Sequence, residues 1–125
     1  MAMEDDDLQQ RLRAVLMDHA RRGETIAYLE LAHAAGMQPP HLVHRVTEAL
    51  EEMLHADCAA GRPLLAALVT RKDGLVPGRG FFWLLNELGI YDGPPDGEEA
   101  IACHRALLEQ AIAYWSADST DGQAG

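Results

Sequence analysis

The segment Glu24-Thr25-Ile26-Ala27-Tyr28-Leu29-Glu30-Leu31-Ala32-His33-Ala34-Ala35-Gly36 changes character in its middle, and that change decides the fold. Glu24 to Ala27 is too short for a helix and β-branched at its centre, which predicts one short strand. Tyr28 to Ala35 then reads as a two-turn helix, and Gly36 supplies the left-handed stop.

Working outward, Leu8, Leu12, Val15, Leu16 and His19 recur at helical spacing upstream, so Asp5 to Arg22 is an amphipathic first helix. Its aspartates stand at the amino end and Arg21-Arg22 at the carboxyl end, as the helix dipole favours. Downstream, Met37-Gln38-Pro39-Pro40 cannot continue a helix, but a proline is suited to begin one, so a third helix starts at Pro40 or His41. Leu42, Val43, Val46, Ala49, Leu50, Met53 and Leu54 fall on one arc of it and form the expected core face. His41, His44, Arg45, Thr47, Glu48, Glu51, Glu52 and His55 fill the opposite arc, and Gly61 closes the element.

Leu64 to Thr70 is an apolar run of strand length, and Arg71-Lys72-Asp73-Gly74 is a turn expected to fold it back on Leu75-Val76 as a hairpin. Pro77-Gly78-Arg79-Gly80 makes a tight loop before a short helix from Phe81 to Gly89. Of Phe81, Phe82 and Trp83, one is expected to stay exposed, because adjacent helical positions cannot all face inward. After a linker at 92–97, Ile101, His104, Leu108, Ala111, Ile112 and Trp115 trace a final amphipathic helix over 98–115. Its stripe predicts packing on the domain or, as the expected outcome, on a second copy in a homodimer. Residues 1–7 and 116–125 read as flexible acidic ends around one domain at 8–91.

The order of helix, short strand, helix, tight turn, helix and hairpin resembles the winged helix-turn-helix, mainly α with a small β-hairpin, here with an additional C-terminal helix. Glu24 to Ala32 followed by Gly36 resembles the strand, Tyr-x-x-Leu-Ala, Gly entry of small prokaryotic winged-helix proteins. It is also similar to the DNA-binding domain of alkyltransferase-like proteins, over about residues 8 to 80. The resemblance implies a cytoplasmic DNA-binding regulator whose third helix and hairpin touch double-stranded DNA. The implied contacts are His41, His44, Arg45 and Thr47 at the start of that helix, with Arg71, Lys72 and Arg79 on phosphates. Two departures stand against it. Cys103-His104-Arg105 lacks the preceding proline of the alkyltransferase motif and lies far downstream, so no alkyl transfer is expected; and Glu48, Glu51 and Glu52 would repel phosphates deep in a groove.

The net charge of −10 argues against nucleic acid as a whole, yet its distribution does not. Between Leu8 and Tyr91, Arg11, Arg13, Arg21, Arg22, Arg45, Arg62, Arg71, Lys72 and Arg79 match the acidic residues in number; the excess acid lies in the ends. No apolar run approaches the roughly 18 residues of a membrane span, and the acidic start lacks a signal-peptide pattern, so a cytoplasmic protein without membrane contact is expected. Cys58 and Cys103 are expected to be reduced.

His41-x-x-His44 and His55-x-x-Cys58 suggest zinc ligands, but His44 and His55 stand about 16 Å apart along one helix, so no metal site is expected. Pro77-Gly78-Arg79-Gly80 lacks the Lys-Ser/Thr of a nucleotide loop and reads as a turn or wing tip. The serines, Ser116 and Ser119, lie in the tail and the single lysine in a turn, so neither catalysis nor a cofactor is expected. The competing function is an acidic protein–protein interaction module on the same frame that does not bind DNA. A positive ridge joining Arg45, Arg71, Lys72 and Arg79 would favour DNA; neutralisation by Glu48 and Glu51 would favour the module.

Overall fold

A computed structural model describes residues 2–72 and 76–124, with side chains over 7–72 and 76–116. The elements are α1 (Ala2–Arg22), β1 (Ile26–Ala27), α2 (Tyr28–Ala34), α3 (Leu42–Ala59), a 3-10 turn (Leu65–Leu68), β2 (Val69–Thr70), α4 (Arg79–Glu87) and α5 (Glu98–Ala124). The chain is therefore mainly helical, with one small sheet. Among the described residues no helix is long and apolar enough to cross a membrane.

α1 buries Leu12, Leu16 and Ala20 at helical spacing. Two of its polar side chains tie it to its neighbours: Gln9 Nε2 donates to the Ala49 carbonyl at 2.9 Å and Arg11 Nε to the Ala35 carbonyl at 2.7 Å. α3 buries Val46, Ala49, Leu50, Met53 and Leu54, the greater part of its expected core face. Val43 departs from that expectation. It lies in the first turn and remains 48% exposed. α3 begins after His41, whose φ of 59° sets the left-handed entry into the helix.

Among the described residues the expected hairpin is not formed. β2 pairs in parallel with β1, Ile26 against Val69 and Ala27 against Thr70. Two local preferences account for the difference. Only Val69 and Thr70 are β-branched, whereas Leu65-Ala66-Ala67-Leu68 has no β-branching and winds into the 3-10 turn, its first N–H donating to the Asp57 carboxylate at 3.2 Å. A parallel partner then requires a crossover, which α2 and α3 supply. The turn after β2 does bring the chain back, since the Arg71 N–H donates to the Val76 carbonyl at 2.8 Å. Residues 73–75 lie outside the described residues.

α5 lies against α1 and the 3-10 turn, burying Ala100, His104, Ala111 and Trp115. Of the apolar stripe that suggested a homodimer, His104, Ala111 and Trp115 are thus buried by the chain itself, Leu108 and Ile112 are half-buried and Ile101 is exposed. The helix backbone runs on to Ala124, beyond the expected end at Trp115, and α1 begins at Ala2. The side chains of the acidic ends at 2–6 and 117–125 lie outside the described residues.

Asp57 joins these layers. Fully buried, it accepts from Arg13 Nη2 at 2.9 Å and from Arg62 Nη2 and Nε at 3.0 and 3.2 Å, besides the Leu65 N–H. Both guanidiniums lie over the Trp115 ring, 5.9 and 5.8 Å from its centroid, and Trp115 Nε1 donates to the Pro63 carbonyl at 3.2 Å. One carboxylate thereby fixes α1, α3, the 3-10 turn and α5.

His104 makes a second such link, its Nε2 standing 2.8 Å from the Ala67 carbonyl, an acceptor that requires N–H there. Burial lowers its pKa below the ordinary 6.5, against a smaller opposing effect of that hydrogen bond. The unfolded chain therefore binds this proton more readily. The stability involved is complete above 6.5 and is lost as pH falls from there towards the depressed folded value. We expect the urea midpoint of the wild type to drop as pH is lowered through this window. In His104→Gln, which keeps a donor without the titration, the drop should be shallower; an equal drop would assign it to other groups.

Candidate interaction groove

The two strands run in the same direction, so the segments leaving them, Ala27-Tyr28 and Arg71-Lys72, emerge at one edge of the fold. With the outer face of α2 and the first turn of α3 they enclose a groove of roughly 620 Å³, lined by Ala27, Tyr28, Leu29, Glu30, His33, Val43, Arg71 and Lys72. Leu29 and His33 are one helical turn apart and share a face of α2. The opposite face carries Leu31 and Ala32 into the core.

Tyr28 braces the groove. Its hydroxyl accepts from the Gly78 N–H at 3.0 Å, holding the approach to α4 against the start of α2. Burial raises its phenol above the usual 10, a shift opposed by that hydrogen bond and by the nearby Arg71 guanidinium. Glu30, the one carboxylate in the lining among the described residues, is turned towards the backbone, where its Oε1 accepts from the Ala27 N–H at 3.3 Å. In the same lining Arg71 and Lys72 are exposed, and neither has an ion-pair partner among the described residues.

The other residues expected to contact DNA do not gather here. Arg45 Nη1 donates to the carbonyls of Gln38 and Pro40 at 2.7 and 3.2 Å, closing the turn before α3. It faces α1, among Gln9, Glu48 and Glu52 on one side and Asp7 and Arg11 on the other. Arg79, in the first turn of α4, is 3.1 Å from Asp96. His44 is 3.5 Å from Glu48, Thr47 Oγ1 donates to the Val43 carbonyl at 2.7 Å, and His41 is exposed at the entry to α3. The four cations therefore make no continuous ridge; two border the groove and two are engaged elsewhere.

Leu29, His33 and Val43 were not among the candidates drawn from the sequence. Leu29 carried a signal, an apolar side chain on the face of a short helix opposite Leu31 and Ala32. Val43 carried none, since its position belongs to the core arc.

Elsewhere the chemistry is sparse. Among the described residues no three His, Cys, Asp or Glu side chains converge as metal ligands. Cys58 and Cys103 are free thiols, and burial pushes the Cys103 thiol up. Trp83 is the exposed member of its aromatic trio, at 54%, while Phe82 is fully buried. Compared with known proteins, the chain matches no family model, no curated protein and no solved structure.

Proposed function

We propose that the protein is a non-catalytic interaction module on a winged-helix-like frame, which holds a partner protein in the groove between α2, the start of α3 and Arg71-Lys72. One observation carries this: half-exposed apolar side chains, Leu29 and Val43, stand beside two cations that have no ion-pair partner among the described residues. Isolated exposed leucines are ordinary, but an apolar groove with a charged rim is the usual form of a recognition surface.

Duplex DNA is the second reading, favoured by Arg71 and Lys72 standing beside the first turn of α3, where His41 and His44 are exposed. Magnitudes count against it. Each neutralised phosphate contributes about −0.9 to the slope of log affinity against log salt, so two cations give a slope near −2 and little affinity at moderate salt. The carboxylates of Glu48 and Glu51 further along α3 would oppose phosphates as well.

A photo-cross-linking amino acid at Leu29, compared with one at exposed Glu87 on α4, separates the readings in living cells. A discrete protease-sensitive adduct is expected at position 29, absent at 87, and lost when Arg71→Glu and Lys72→Glu are combined. Nuclease-sensitive adducts would favour DNA. Equal labelling at both positions would overturn the groove as the site.

A further inference from the structure

We infer that the groove takes an acidic peptide segment of a partner protein, seating apolar side chains on Leu29 and Val43 and presenting carboxylates to Arg71 and Lys72. This rests on the interaction reading above and specifies its partner.

Leu29 and Val43 remain 45% and 48% exposed at the walls, so apolar side chains of a peptide segment can be seated on them without first displacing any of the groove's own residues. Its charge sets the sign of the partner. Glu30 is drawn back to the Ala27 N–H, and among the described residues of the lining this single carboxylate is outnumbered by the two cations. The Arg71 guanidinium presents a planar fork matched to a carboxylate, and Lys72 adds a mobile second charge beside it. Beyond about a Debye length of 8 Å, the protein's overall negative charge is screened, so the local pair decides which segment is held. The apolar walls argue for peptide over duplex. Leucine- or phenylalanine-sized side chains can be buried on Leu29 and Val43, while a phosphodiester backbone asks for more cations than the two the groove offers.

The test is selection of phage-displayed short random peptides on the full-length protein, with the double variant Arg71→Glu, Lys72→Glu and the single variant Val43→Asp as controls. All three positions are exposed, so unchanged urea midpoints should show that the variants are folded. The expected peptides carry Asp or Glu next to Leu, Ile, Met or Phe, and bind each variant at least about tenfold more weakly than the wild type. Arg71→Lys should lose less than the charge reversal. Peptides that require Val43 but are neutral or basic, and indifferent to the charge reversal, would overturn the acidic partner while leaving the groove as the site. Peptides indifferent to both variants, or none enriched, would overturn both.

Discussion

Asp57→Ala is expected to be among the most destabilising single changes in the protein, costing about 3 kcal/mol. That lies at the low end for breaking a buried ion pair, because the Arg13 and Arg62 side chains, 23% and 37% exposed, can recover some hydration. The Leu65 N–H, which opens the 3-10 turn, cannot recover its partner in the same way. Both guanidiniums would also lose the anchor that holds them over Trp115. Urea denaturation should show the lowered midpoint, and Trp115 emission should shift to the red in the folded variant as its ring becomes solvated. Asp57→Asn keeps an acceptor but turns an amide towards the guanidinium donors, and is expected to fall between the two. A variant as stable as the wild type would mean that the two arginines find partners elsewhere.

Phe82→Ala should cost about 3–5 kcal/mol, while its neighbour Trp83→Ala should stay within roughly 0.5 kcal/mol. Phe82 has no exposed surface and meets Phe81 and Tyr91 edge to face, at 5.3 and 5.8 Å between ring centroids. Trp83, one position on, is more than half exposed. The contrast between two adjacent aromatics depends only on the direction each takes from α4, so it is a direct check of how that helix is seated. Midpoint shifts at an unchanged urea dependence would confirm it. Equal costs would mean that α4 is rotated from the orientation described.

The helices were legible because their signals are local. The periodic leucines of α1, the Tyr28-to-Gly36 segment and the glycine after α3 each act within a few residues. The sheet was not. Leu64 to Thr70 has the length and apolarity of a strand, which outweighs the one local sign of coiling, the lack of β-branching over Leu65 to Leu68, and nothing within it says that its partner is Ile26-Ala27 rather than the residues that follow. Asp57 could have been found: at 100° per residue it falls on the same arc as Val46 and Leu50, and a carboxylate there requires buried cations. Of the candidate site, Arg71 and Lys72 stood out in the sequence as a cationic pair, but their separation from Arg45 and Arg79 did not. Arg45 is engaged by the carbonyls before its own helix and Arg79 by Asp96, seventeen residues further on, and both are matters of tertiary geometry.

The most direct test is an amide-resolved NMR titration of the full chain with a peptide selected on the wild-type protein. The account predicts shifts concentrated at Leu29, His33, Val43, Arg71 and Lys72, with α5 unperturbed. Shifts centred on Arg45, Glu48 and Glu52, or on Ile101 and Tyr114 of α5, with the groove silent, would contradict it.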